Sequence, residues 1–461
     1  MTRFVPVIFA MALSLSHIQF SNNLQNFNLD KIQAVDSVEN KNPRNHLTQD
    51  DFNRTDVSAK ILSVGEARPK SPNDSTTNLT EDKKIVTSET EAIGNEIILR
   101  LSWDIVPKAV KYKISYDDEN ILAYTCGVEI PVNGEDKNFH VTALDFDNNI
   151  LAEDVKITEV KKNPSTLKTT SEFDKMSYPP IYLVYSWIPS CEADHYEIQL
   201  FKDGELLREF VTEYQEKDDN FDYYDPFPTI EDGVYYWRIR AMTASNLPLT
   251  EWSEQNPGNT FKVYSPIRFC ALGDSITHGG GSISVSPSMV MYNWETYCDL
   301  PVKNLGKSGD TTEQMLNRFD NDVVPFHPEI LFIMAGVNDF RGNTLGWNSV
   351  ENLIAIKEKC QANGIIPIFI TPTPVNPRIL NKVQFVEPPP YDWRDHQKYI
   401  CDWMRRQENY IDLTEKFTDS NGDLKENLTS DGLHPDAEGK QIIGEAVGKW
   451  IHNYLDKLEE K

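Results

Sequence analysis

Four short stretches of the sequence hold residue types that could carry out nucleophilic chemistry. Gly273-Asp274-Ser275 sets a hydroxyl just past an apolar run. On a strand-to-helix turn such a serine is lifted clear of the sheet, and the helix N-terminus behind it presents backbone N–H groups to a developing anion. Asn304-Leu305-Gly306-Lys307-Ser308-Gly309-Asp310-Thr311 follows a second apolar run. Its Gly306 could let backbone approach a substrate and offer an N–H to an oxyanion. Gly336-Val337-Asn338-Asp339 follows a third run and supplies a neutral amide donor. Asp431-Gly432-Leu433-His434 can bring a carboxylate beside an imidazole, fixing its tautomer so that the other nitrogen faces a hydroxyl. Each stretch has an ordinary use as well: an N-cap serine, a loop capped by Thr311, an Asx turn, a solvated surface turn. What sets the four apart is that all fall at a strand end or helix entry, in an order that can converge on one edge of a sheet.

The elements that would position them are legible from residue 266 onward. Apolar runs at 267–272, 300–305, 330–335 and 365–370 alternate with helical patterns at 312–324, 349–362, 393–406 and 437–458. Strands apolar on both faces, separated by helices, predict a parallel sheet covered on two sides, with chemistry gathered at the carboxyl ends of its strands.

From about residue 265 to the end, the ordered set GDS, NLGKSG, GVND and DGLH resembles the SGNH, or GDSL, hydrolases. The resemblance implies a three-layer, flavodoxin-like α/β domain and a two-step acyl transfer that needs neither cofactor nor metal. It implies Ser275 as nucleophile, His434 as general base and Asp431 as the partner of that base. It implies an oxyanion hole made of the Ser275 N–H, the Gly306 N–H and the Asn338 side chain. Other residues nearby carry less. His278 is expected to be a solvated loop histidine, and His327 has no partner in sequence. Asp339 and Arg341 either line a pocket rim or pair with each other. Pro372 and Pro374 shape a strand-end loop, and Val386–Tyr391 forms a pocket wall or a semi-rigid linker.

Upstream, two units share a grammar. After Trp103 apolar residues recur at Tyr112, Ile114 and Tyr116; after Trp187 they recur at Tyr196, Ile198 and Leu200, at identical offsets. Period-two strands return at Phe139, Val141, Ala143 and at Trp237, Ile239, Ala241. Turn-rich breaks such as Asn133-Gly134-Glu135-Asp136 separate them, predicting β-sandwiches. The pair resembles fibronectin type III modules, which implies a spacer or a contact with a polysaccharide or cell surface. Tyr223, Tyr224 and Trp252 are the aromatics that could stack on sugar rings, although sandwich aromatics more often belong to a core. Residues 20–83 are polar, with Asn53, Asn73 and Asn78 each opening an N-x-S/T triplet, as does Asn427, and read as a disordered tether. Arg3 followed by an apolar run from Phe4 to Leu15 reads as a signal peptide.

The expected organisation is a signal peptide at 1–20, a tether at 21–83, β-sandwiches at 84–163 and 175–264, and the hydrolase domain at 265–461. With 45 basic against 71 acidic residues, a net charge of -26 and no basic run, a nucleic-acid partner is excluded. The six cysteines stand singly, which permits disulfides without demanding them. The composite reading is a secreted, periplasmic or cell-surface serine ester hydrolase acting on an acylated small molecule or glycan, by preference a carbohydrate O-deacetylase or short-chain esterase. A lysophospholipase or thioesterase and a non-catalytic glycan-binding or adhesion protein are the alternatives.

Overall fold

The computed structural model describes residues 96–133, 137–212, 221–282, 284–383 and 387–460. The signal-peptide and tether expectations, the triplets at Asn53, Asn73 and Asn78, and the turn at 134–136 lie outside those residues.

The first β unit contains β1 (Glu96–Trp103), β2 (Lys111–Tyr116), β3 (Glu119–Ala123), β4 (Gly127–Asn133), β5 (His140–Leu144), β6 (Ile150–Ala152) and β7 (Ile157–Lys162). These make two antiparallel sheets, ordered β4-β1-β7 and β3-β2-β5-β6. The second contains β8 (Tyr182–Ser186), β9 (His195–Lys202), β10 (Glu205–Val211), β11 (Asp222–Pro228), β12 (Gly233–Met242) and β13 (Thr260–Val263), in sheets ordered β10-β9-β12-β13 and β11-β8.

The repeated Trp…Tyr spacing has one physical cause in both units. Trp103 and Tyr112 rings lie 5.2 Å apart and the Tyr112 hydroxyl accepts from the Val106 N–H at 3.0 Å. Trp187 and Tyr196 rings lie 5.0 Å apart and the Tyr196 hydroxyl accepts from the Ser190 N–H at 3.0 Å. Each tyrosine thus fills the core beside its tryptophan while its polar tip closes the loop between their strands. The first unit keeps its own core, centred on Leu101, Trp103, Ile114 and Val141. The second does not: Leu183, Trp187, Trp237 and Ile239 belong to one apolar cluster with Cys270, Leu272, Ile333 and Ile368 of the α/β region.

That region is built on β14 (Phe269–Gly273), β15 (Lys303–Gly306), β16 (Ile330–Met334), β17 (Ile366–Ile370) and β18 (Tyr410–Ile411), all parallel, in the order β15-β14-β16-β17-β18. β14, β15 and β16 are buried at every position, as strands covered on both faces must be. The helices Thr312–Asp322, Gly346–Ala362, Trp393–Met404 and Ala437–Glu459 match the expected patterns to within a few residues. Strand order reverses at β14, and such a reversal opens a crevice at the carboxyl edge. No described helix is long and apolar enough to cross a membrane. None of the six cysteines forms a disulfide, and Cys270 is buried within β14.

Both β units grip the α/β region near this edge. The Ile181 N–H donates to the Asn304 carbonyl at 3.1 Å, and the Tyr182 hydroxyl donates to Asp322 at 2.8 Å. From the first unit, Ile105 packs against Val285, Met289 and Tyr292, and Lys108 Nζ donates to the Asn427 carbonyl at 2.5 Å and pairs with Asp436 at 3.3 Å. The serine-rich segment after Gly279 is covered by these contacts: Ser288 meets the Ser186 hydroxyl at 2.6 Å and its carbonyl accepts from the Glu172 N–H at 2.9 Å.

The expectation of a solvated His278 is corrected here. Its ring is buried; Nε2 donates to the Tyr182 carbonyl at 2.6 Å, and Nδ1 meets the Ser308 hydroxyl at 2.8 Å. Burial pushes its pKa down to about 4. An unfolded histidine titrates near ~6.5, so the unfolded chain binds the extra proton between those values, and this contribution to stability, full above ~6.5, is lost as pH falls toward 4. Asp274, pushed up to about 7 by burial, works in the opposite direction, so the signature of His278 is a difference between variants. Between pH 7 and pH 5 the parent should lose about 2 kcal/mol more than His278→Asn. Urea unfolding at the two pH values measures it, and equal losses in both proteins would refute the neutral, buried assignment.

Candidate active site at the carboxyl edge of the sheet

β14 ends at Gly273, and Asp274 caps the short helix Ser275–His278 by accepting from the Ile276 N–H at 2.9 Å. Ser275 is the first helical residue, so its own N–H has no intrahelical acceptor. Lys440, buried on the C-terminal helix, donates to the Ile276 carbonyl at 2.6 Å and holds this turn from below. Burial presses the Lys440 ammonium toward its neutral form and the carboxyl of nearby Glu295 toward protonation, each offset in part by the other.

The loop before the last helix brings His434 to the serine. Asp431 Oδ1 accepts from the Leu433 and His434 N–H groups, both at 2.8 Å, and the Thr429 hydroxyl donates to the His434 carbonyl at 2.9 Å. Asp431 Oδ2 lies 2.7 Å from His434 Nδ1, and His434 Nε2 lies 3.0 Å from Ser275 Oγ. Burial alone would raise the Asp431 pKa, but the His434 charge and these hydrogen bonds outweigh it and hold the carboxyl below its ordinary value. An ionised carboxylate only accepts, so Nδ1 carries the proton and Nε2 is left to accept from the serine hydroxyl.

Asn338 sits at the start of the helix Val337–Arg341, directly after β16. Its Nδ2 donates to the Asp310 carbonyl at 2.9 Å, and its Oδ1 accepts from Arg341 Nε at 3.2 Å. The structure gives Gly306 a different task from the expected one. Its N–H donates to Asn304 Oδ1 at 2.9 Å, and a Cβ there would lie 2.2 Å from the His278 nitrogen, so this glycine is required by the close approach of the Ser275–His278 helix. Asn304 completes that packing by donating to the Thr277 carbonyl at 2.6 Å. Gly309, later in the same loop, is in the left-handed region (φ +87°) with open space above it and, among the described residues, no acceptor for its N–H. It immediately precedes the residue whose carbonyl Asn338 holds. The signal was present in sequence, since the loop has two glycines and the second stands nearer the helix entry.

Asp339 and Arg341 neither pair with each other nor share a task. Asp339 turns inward, accepting from the Thr312 N–H at 2.9 Å, from the Thr312 hydroxyl, and from the Ser349 hydroxyl at 3.0 Å. The loop holding Pro372 and Pro374 follows β17 and backs the His434 loop, with the Asn376 N–H donating to the Gly432 carbonyl at 2.7 Å. Val386 lies outside the described residues; Pro390 accepts from the Trp393 N–H at 3.2 Å, so the end of that segment leads into a helix. His327 precedes β16, at the amino end of the sheet and away from Ser275. The three candidate sugar-stacking aromatics are engaged elsewhere. Tyr223 stacks on Tyr185, Tyr224 meets the His278 ring, and Trp252 lies under Arg238 and Arg240.

Sequence reasoning missed Arg318. From the helix Thr312–Asp322 its guanidinium donates to the Gly273 carbonyl at 3.0 Å and the Leu305 carbonyl at 2.8 Å, and it pairs with Asp310 and with Asp322 at 3.0 Å. One side chain thereby joins the end of β14, the end of β15 and the loop that holds Gly309.

Residues 271–442 match the family described as GDSL-like Lipase/Acylhydrolase. A curated relative, the uncharacterized lipoprotein YqeF of Bacillus subtilis (strain 168), is 39% identical over 83 residues, covering 17% of this chain and 34% of that protein. The chain therefore spans about a third of the length of that relative. Among solved structures, the lipase/acylhydrolase from Enterococcus faecalis is 25% identical with a TM-score of 0.33, covering 41% of this chain and 97% of that one. A GDSL-like lipase from Bacteroides thetaiotaomicron VPI-5482 is 22% identical with a TM-score of 0.33, over 42% and 93% of the two chains. The acetyl xylan esterase AlAXEase is 18% identical with a TM-score of 0.31, over 40% and 100%.

Arg318→Met would remove the ion-pair partner of the buried Asp310 carboxylate and one donor each from Asp322, which keeps Tyr182, from the Gly273 carbonyl, which keeps the Lys307 N–H, and from the Leu305 carbonyl, and stability should fall by about 3–5 kcal/mol. Urea unfolding measures it; a loss below about 1 kcal/mol would show that solvent replaces the guanidinium at no cost.

Proposed function

We propose, from the premise that the C-terminal region is a hydrolase matching the GDSL-like lipase/acylhydrolase family, that Ser275 is the nucleophile of a serine ester hydrolase. The observation that carries this reading is the continuous relay from Ser275 Oγ to His434 Nε2 at 3.0 Å and from His434 Nδ1 to Asp431 at 2.7 Å. His434 takes the hydroxyl proton as Ser275 Oγ attacks the ester carbonyl carbon. The tetrahedral oxyanion accepts from the Ser275 N–H, the second N–H of Asn338 Nδ2, and Gly309 in place of Gly306. Collapse expels the alcohol, which takes the proton from His434, and water repeats the sequence on the acyl-enzyme. Asp431 stays ionised throughout and stabilises the imidazolium.

The preferred substrates are short acyl esters, carbohydrate O-acetyl groups among them. One feature supports that choice over a lysophospholipid or a long-chain thioester. The segment after Gly279 is buried against the β units rather than open as an acyl groove. Export is part of the proposal, resting on Arg3 and the apolar run after it. So is the reading of the β units as fibronectin type III-like modules that hold the enzyme at a polymeric or cell-surface substrate.

Hydrolysis of p-nitrophenyl acetate and octanoate by the purified chain, with Ser275→Ala as control, tests the proposal. Acetate should be the better substrate, and Ser275→Ala should lose at least ~10³-fold in kcat. Octanoate preference would move the assignment to lipids or thioesters. Hydrolysis that survives in Ser275→Ala would overturn the assignment of Ser275 as nucleophile, and absence of hydrolysis from the parent would overturn the enzyme reading in favour of a non-catalytic binding protein.

A further inference from the structure

The Asn338 side chain is useful to an oxyanion in one orientation only. With Nδ2 toward the reacting carbonyl it donates; rotated by half a turn about its amide it would present Oδ1 and repel the developing negative charge. The two orientations differ little in shape, so the direction must be set by what the amide touches. On one side lies the Asp310 carbonyl, which only accepts, 2.9 Å from Nδ2. On the other lies Arg341 Nε, which only donates, 3.2 Å from Oδ1. Reversal would set carbonyl against carbonyl and NH2 against a guanidinium, losing both bonds at once.

We infer that Arg341 is a positioning residue that locks the Asn338 amide with its donor face toward Ser275, so that the oxyanion site is assembled before substrate arrives. The inference rests on the ester-hydrolase reading above. Arg341 is suited to the task by its place three residues after Asn338 on the same helix, where side chains meet across one turn. Nε belongs to a planar group, so its N–H has a fixed direction that an ammonium on a flexible stem cannot reproduce. Burial disfavours the charge of the half-buried guanidinium, and the nearby carboxylates Asp274, Asp431 and Glu387 offset that only in part. The Asp310 side of the lock is fixed independently, because the Asp310 carboxylate is held by Arg318.

A rival account is that Arg341 acts directly through its charge on Asp431 and His434. The two differ in their dependence on Asn338, and a double-mutant cycle separates them. On p-nitrophenyl acetate, Arg341→Ala should lower kcat by about 10–100-fold with KM changed less than about threefold, because the lost donor acts in the transition state. In the Asn338→Ala background the same substitution should change kcat by less than about threefold. Arg341→Lys keeps the charge without the planar donor and should behave like Arg341→Ala; Arg341→Gln keeps a planar amide donor without the charge and should recover part of the loss. An equal fold-loss in both Asn338 backgrounds, full activity in Arg341→Ala, or recovery by lysine and not glutamine would each overturn the inference. Should Arg341→Ala fail to fold, the lysine and glutamine variants carry the same comparison. Hydrolysis independent of Ser275 would instead refute the underlying reading, whatever Arg341 does.

Discussion

A parallel sheet gives up its hydrogen bonds where its strands stop, and the site depends on how that break is made good. At the carboxyl ends of β14 and β15 the strands part, and the Gly273 and Leu305 carbonyls both turn to one guanidinium, that of Arg318. The same group pairs with both Asp310 and Asp322. Peptide carbonyls left buried without a donor would each cost about 1–3 kcal/mol, and the two carboxylates more. By meeting all of these demands together, Arg318 fixes how far the Ser275 turn stands from the Gly309 loop. Asn304 does the complementary work at the other end of the turn, tying Thr277 to Gly306 through its amide. Ser275 is therefore held by its neighbours' unsatisfied backbone rather than by the length of its own four-residue helix.

The β units extend this arrangement rather than hanging from it. Tyr182 reaches Asp322, already the partner of Arg318, and supplies the carbonyl that His278 needs. Lys108 pairs with Asp436, which caps the last helix two residues past His434. One unit thus braces the serine side of the site and the other the histidine side. The shared apolar cluster between the second unit and the α/β region makes independent movement of the two costly, since apolar surface would be returned to water.

Much of this was legible in the sequence, for reasons that can be named. Ser275, Asn338, Asp431 and His434 each follow a strand or precede a helix, and a parallel sheet sends such positions to one edge whatever its loops do. The Trp…Tyr repeat was legible because one core contact and one loop-closing hydrogen bond recur at fixed spacing. What escaped was decided by contacts between distant segments. His278 looked solvated because Tyr182, which covers it, lies far upstream. Gly306 looked like an oxyanion donor because nothing local announces that Asn304 engages its N–H. Asp339 read as a rim residue or a partner of Arg341 because Thr312 and Ser349, which donate to it, lie on other segments. Arg318 sits mid-helix with no motif, and its importance appears only when the carbonyls around it are counted.

We propose Ser275, activated through His434, as the owner of the reacting oxygen. Incubating the chain with a fluorophosphonate and mapping the product by mass spectrometry addresses it without knowledge of the natural ester. The account predicts a single adduct, on the peptide containing Ser275, formed at least ~10²-fold more slowly when His434 is replaced by alanine. An adduct on another residue, or labelling of Ser275 that is indifferent to His434, would contradict it.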